Sequence, residues 1–169
     1  EQNSLLGKSN KIFAKYAKYI AISYKETDNI SLKYRDKIIY TGGIVRSAVQ
    51  TLPEKNSFDS GVFNLFIIGG SQGARIFSKI IPETMKILNK IELGLQIKVT
   101  QQISDNDKQR ISEVYRKLGI ECELQSFFHR IHNIYFKADL VIARSGASTI
   151  AELITIGLPA ILIPLPHSV

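Results

Sequence analysis

The stretch ADLVIARSGASTIAELITIGLPAILIPLP, residues 138–166, decides the fold. DLVIA is apolar at successive positions, is β-rich and is too short for a stable helix, so it reads as a strand buried on both faces. Ser145 and Gly146 end it. Thr149 to Ile156 then follows helical spacing, and Gly157 stops it. PAILIPL is a second apolar strand. Strand, helix and strand in so short a span form a βαβ unit, and such units build parallel sheets.

The same rhythm extends upstream. VFNLFIIGG, from Val62, is an apolar strand ending in glycine, and Ala74 to Leu88 follows as a helix that Pro82 is expected to kink or split. LQIKVT is a strand, Asp105 to Leu118 a helix stopped by Gly119, IECELQ a strand and HRIHNIYFKA a short helix. The fold class is therefore α/β, a Rossmann-like parallel sheet with helices on both faces. Before Val62 the pattern is looser. Ser9 to Lys18 reads as a helix with Ile12, Phe13, Tyr16 and Ala17 on one side and a recurrent lysine face at Lys8, Lys11, Lys15 and Lys18. YIAIS and KIIYTGG read as strands, Lys25 to Lys37 as a connecting loop, and Thr51 to Gly61 as an exposed loop.

Composition narrows the class. The 169 residues suffice for a full domain, and 44% hydrophobic with 22% charged residues is ordinary for a soluble protein. No apolar run reaches the roughly 18–20 residues of a membrane-spanning helix. The single cysteine, Cys122, leaves no internal disulfide to form, the usage of a reducing compartment, and its place in a strand reads as a small buried residue. A net charge of +7 favours anionic partners without choosing among phosphates, nucleic acid and acidic lipid. The chain opens EQNSLLGK, without Met, which reads as a fragment or processed chain.

In parallel sheets ligands bind at the carboxyl ends of the strands, near a topological switch. Two loops lie at such ends. In GGSQGAR, Gly69, Gly70 and Gly73 permit a tight turn and close backbone approach, and the helix start favours an anion; Ser71 adds a hydroxyl. In RSGASTIAE, two readings of Glu152 stay open. Thr149 and Glu152 fit a capping box, and a carboxylate at this place can also accept both hydroxyls of a ribose. Phe127 and Phe128 read either as core or as cover for a base. His129 and His132 lack the companions of a metal site, His167 reads either as lining the cleft at a strand's carboxyl end or as part of a loop, and no paired carboxylates stand at strand ends.

EQN, GGSQGAR, SFF and RSGASTIAELITIGLPAILIPLPH together resemble glycosyltransferase family 28, and within it the bacterial enzymes that add N-acetylglucosamine to a lipid-linked muramyl-pentapeptide. The resemblance implies the GT-B arrangement of two Rossmann-like domains, with residues 1–45 as the tail of the first domain and the interdomain connection, 46–61 as linker, and 62–169 as the nucleotide-sugar domain, truncated at its carboxyl end. It implies inverting transfer from UDP-N-acetylglucosamine to undecaprenyl-pyrophosphoryl-MurNAc-pentapeptide in peptidoglycan synthesis, with consequences for cell shape and division. No cofactor or metal is implied, and the partners are the donor, the lipid acceptor and an anionic membrane surface, not nucleic acid. The location implied is the cytoplasmic face of the bacterial inner membrane.

Residue roles follow from the same resemblance. Ser71 bonds the donor phosphate, Glu152 the ribose, and Phe127 and Phe128 border the uracil, the latter through its backbone. Ala147, Ser148 and Thr149 line the diphosphate and sugar. Arg46 closes over the nucleotide, in GGIVR where the family has GNPVR, and Asn3 lies in the cleft near the donor sugar. The family's candidate catalytic histidine has no counterpart here, so the catalytic base is unassigned and the chain by itself is expected to be inactive. Two alternatives are carried: another GT-B enzyme, a lipid hexosyltransferase or a UDP-sugar epimerase, and a non-catalytic basic binding module.

Overall fold

The computed structural model describes residues 1–53, 61–91 and 94–165, without the side chains of 71–74. Its larger part is a five-stranded sheet in the order β5-β4-β3-β6-β7, parallel at every pairing. The strands are β3 (Val62–Ile68), β4 (Gln96–Gln102), β5 (Glu121–Gln125), β6 (Leu140–Arg144) and β7 (Ala160–Ile163). Chain order runs outward from β3 to β5, returns to β6 beside β3, and runs outward again. The topological switch therefore falls between β3 and β6, where Ile68 pairs with Ala143 at their carboxyl ends.

Alternation along β3 explains why both sheet faces are apolar. Leu65 and Ile67 enter one core with Phe77, Ile81 and Met85 of α3 (Gly70–Leu88) and Ile111 and Tyr115 of α4 (Asp105–Lys117). Phe66, between them, enters the opposite core with Val49 of α2 (Ser47–Gln50), Ile131 and Tyr135 of α5 (Ile131–Lys137), and Leu153 of α6 (Ala147–Thr155). At the amino ends of the central strands Asp139 ties β6 to β3. Its Oδ2 accepts from the Asn64 amide at 2.6 Å, and its own N–H donates to the Asn64 carbonyl at 2.8 Å.

The parallel sheet with helices on both faces is as expected from sequence; several boundaries are not. α3 begins at Gly70 and runs unbroken through Pro82. α6 begins at Ala147 with Gly146 before it and no side-chain cap, so Thr149 lies within the first turn and the capping box is not formed. The connecting loop before residue 38 contains a 3₁₀ turn at Leu32–Lys37.

The amino-terminal part holds a second, two-stranded parallel sheet, β1 (Ile20–Ile22) with β2 (Ile38–Tyr40). Its helix α1 (Lys8–Phe13) is shorter than the periodicity of 9–18 predicts. The chain turns after Phe13, and the Lys37 ammonium takes the carbonyls of Ala14, Lys15 and Ala17, which the helix would otherwise have used. The expected apolar side is consequently not the buried one. Ala14 is buried and Ala17 packs beside it, whereas Ile12, Phe13 and Tyr16 stand exposed.

Candidate nucleotide site

The loops after β3 and β6 flank the switch, as an α/β ligand site requires. At the start of α3, Gly70 takes a positive φ of 62°, which favours glycine. Its N–H is already engaged, donating to Oε1 of Gln102 at 3.0 Å, while Nε2 of Gln102 donates to the Ser126 carbonyl at 3.1 Å. Gln102 thus joins the glycine loop to the segment carrying Phe127. The side chain of Ser71, Gly73's surroundings and His167 lie outside the described residues.

Glu152 sits in the second turn of α6 and is 3% exposed. Burying a carboxylate demands partners, and it has three donors. Arg46, at the residue before α2, donates from Nε to Oε1 at 2.5 Å and from a terminal nitrogen to Oε2 at 2.7 Å. The buried Tyr135 hydroxyl donates to Oε2 at 3.2 Å. The hydrogen bonds to Glu152 hold the Arg46 guanidinium above its ordinary range, against the opposing effect of burial. Burial first, and the Glu152 carboxylate next, push the Tyr135 phenol upward.

The approach that brings Arg46 to Glu152 depends on the turn before it. Gly42 adopts a φ of 73°, and a Cβ on Gly43 would lie 2.9 Å from Cβ of Ala151 in α6. The glycine pair therefore lets this connection lie directly on α6. A cavity of about 310 Å³ opens along the contact, lined by Tyr24, Tyr40, Gly43, Ala147 and Ser148 among others. Gln2 lines it too, whereas the Asn3 side chain turns to the Glu1 carboxylate at 3.0 Å. Thr149 stands at the first turn of α6, its hydroxyl near Gly146.

The two phenylalanines divide. Phe128 is buried, edge-on to Phe66 with ring centroids 5.5 Å apart. Phe127 is exposed and meets His129 edge-on at 4.9 Å. Arg144 turns to the other face, over the Phe77 ring, and donates to the Pro164 carbonyl at 2.8 Å. Cys122 is half-buried, and burial raises its thiol pKa, which suits an inert residue. A larger cavity, about 440 Å³, lies over β4 and β5 beside α5, between Lys98, Glu123 and Arg130. Phe128 lines it as well, whereas Arg46 and Glu152 do not.

Sequence reasoning missed Tyr135 and Gln102. Tyr135 follows the apolar spacing of Ile131 and Ile134 and reads as core, which it also is; its hydroxyl partner comes from another helix.

Residues 64–169 match the family model of the glycosyltransferase family 28 C-terminal domain. The chain belongs to glycosyltransferase family 28. It is 47% identical over 99% of its length to the UDP-N-acetylglucosamine–N-acetylmuramyl-(pentapeptide) pyrophosphoryl-undecaprenol N-acetylglucosamine transferase of Rickettsia bellii, covering 48% of that protein. The equivalent transferase of Rickettsia canadensis is 48% identical, again over 99% of this chain and 48% of the relative. The crystal structure of Acinetobacter baumannii MurG superposes with a TM-score of 0.73 at 25% identity, over 100% of this chain and 46% of the other. The chain thus spans about half the length of the family 28 relatives it matches.

Proposed function

We propose that this chain is the donor-binding half of an inverting N-acetylglucosaminyltransferase that uses UDP-N-acetylglucosamine and builds lipid-linked peptidoglycan precursor on undecaprenyl-pyrophosphoryl-MurNAc-pentapeptide. The observation that carries the reading is the buried Glu152 carboxylate beside the topological switch, both oxygens presented toward paired donors. Such a carboxylate suits a vicinal diol. The division into 1–45, 46–61 and 62–169 is part of the same reading, with the acceptor side assigned to the length of the relatives that this chain does not cover.

In this reading Glu152 holds the ribose and Phe127 borders the uracil, with the backbone of Phe128 beside it. The glycine loop at Gly69, Gly70 and Gly73, with Ser71, receives the diphosphate, and Ala147, Ser148 and Thr149 line the diphosphate and sugar. Asn3 lies near the donor sugar. The acceptor hydroxyl attacks the anomeric carbon, the bond to the β-phosphate oxygen breaks, and UDP departs with the negative charge. N–H groups at the starts of α3 and α6 and nearby hydroxyls stabilise that charge, and removing one such donor typically costs ~10²–10³ in rate.

A location on the cytoplasmic face of the inner membrane is supported by the exposed Ile12, Phe13, Tyr16 and Tyr19, interleaved with exposed Lys8, Lys11, Lys15 and Lys18. No helix of the described residues is long and apolar enough to cross a membrane.

The test is incubation of the intact protein with labelled UDP-N-acetylglucosamine and the lipid-linked acceptor. The expected result is acceptor extended by one N-acetylhexosamine in the β configuration, with stoichiometric UDP. Epimerised donor formed without acceptor, or transfer only to a different lipid, would contradict the assignment.

A further inference from the structure

The Arg46–Glu152 pair places a guanidinium where the proposed function places a ribose. A guanidinium edge offers two parallel N–H donors to the two oxygens of one carboxylate. A cis-diol offers two O–H donors at a similar spacing. The two groups are therefore alternative occupants of the same acceptor pair on the buried Glu152. Tyr135 differs. Its hydroxyl reaches Oε2 from within the core, on a ring fixed edge-on to Phe66 at 5.8 Å, and a ligand entering from the cleft need not displace it.

We propose that nucleotide binding exchanges Arg46 for the ribose diol on Glu152, while Tyr135 acts as a positioning residue that holds the carboxylate through the exchange. The inference rests on the donor reading above and adds to it an occupant that the nucleotide must displace. Arg46 has open space on its solvent side into which it can withdraw: its side chain is 57% exposed, against 4% for that of Glu152. It sits at the end of an irregular connection, not within a regular helix. Once released it carries its positive charge, with the diphosphate as the nearest opposite charge the ligand brings.

The two partners of Glu152 should accordingly act in opposite directions on a ligand that has the diol but no phosphate. Uridine affinity is measured for wild type, Arg46→Ala and Tyr135→Phe, with 2′,3′-dideoxyuridine as the control that lacks the diol. Arg46→Ala is expected to bind uridine about fivefold more tightly, with no gain for the dideoxy compound. The increment from uridine to UDP shrinks in the same variant. Tyr135→Phe is expected to bind uridine about tenfold more weakly, again without change for the dideoxy compound. Unchanged or weaker uridine binding by Arg46→Ala overturns the exchange. Equal losses for uridine and dideoxyuridine in Tyr135→Phe overturn the positioning role.

A wild-type measurement covers the case in which Arg46→Ala fails to fold. The Arg46 Nε–H resonance should lose its hydrogen-bonded shift on saturation with uridine, and an unmoved resonance at saturation overturns the exchange. Wild-type protein with no preference for uridine over adenosine overturns the donor reading itself. Selective wild-type binding with an unmoved Arg46 overturns only the exchange.

Discussion

Arg46 and Glu152, 106 positions apart, close on each other through two hydrogen bonds of 2.5 and 2.7 Å. This pair fastens the connection that follows β2 to the helix that leaves β6. One half of it is buried and the other half open to solvent. The carboxylate that makes this structural cross-link is the one proposed to bind the ribose.

Gly43 controls the approach. A methyl group there would meet Ala151 at 2.9 Å, and both atoms belong to short, stiff positions. Gly43→Ala should lower stability by about 1–3 kcal/mol and weaken UDP binding together, because the connection must lift off α6. Chemical denaturation and calorimetry on one preparation check both; an unaltered UDP affinity would uncouple the turn from the site.

The phenylalanine pair should separate binding from stability. Phe127→Ala removes an exposed ring and is expected to leave the melting temperature within a degree or two while weakening UDP by about 1 kcal/mol. Phe128→Ala empties a buried position against Phe66 and should cost about 3–5 kcal/mol of stability. Equal melting temperatures for the two variants would contradict this division.

Much of the architecture is legible in the sequence because the central strands β3 and β6 are apolar at nearly every position and each is followed by a glycine or polar break. Val62–Ile68 and Leu140–Arg144 were both expected as strands within a residue or two. α1 was less legible because its end is set by Lys37, a residue brought from another element. The capping box at Thr149 failed for a related reason. Glu152 matches the local motif, but Arg46 and Tyr135 offer it charged and hydroxyl donors that a single backbone N–H cannot match. The glycine loop was legible as a turn; that Gln102 already occupies the Gly70 N–H was not.

Glu1 should give the amino-terminal unit an acid-sensitive component. Burial acts to raise its pKa, but hydrogen bonds from Gly7, Asn10 and Asn3 outweigh burial and bring it from 4.5 to about 2. A folded value below the unfolded one means stabilisation above about pH 4.5 that is lost as pH falls toward 2. The difference in melting temperature between wild type and Glu1→Gln should therefore be widest near neutrality and close over that interval. A difference that is constant with pH would show that charge at Glu1 plays no part.

In the proposed peripheral location the lysine face contributes to membrane attachment. Replacing Lys8, Lys11, Lys15 and Lys18 by Gln in the intact protein should reduce sedimentation with vesicles containing anionic lipid, with a contribution of about 1 kcal/mol per lysine near the surface. Binding to neutral vesicles should be unaffected. Equal binding of the two proteins to anionic vesicles would assign this face to solvent.

Calorimetric titration decides whether Glu152 reads the ribose of a uridine nucleotide. UDP, GDP and ADP are titrated into wild type, Glu152→Gln and Glu152→Ala, with folding of each confirmed by circular dichroism. A ribose-binding Glu152 gives binding selective for UDP in wild type, reduced about tenfold or more in both variants. Folded Glu152 variants that bind UDP as tightly as wild type would contradict it, leaving Glu152 as a tether for Arg46 alone.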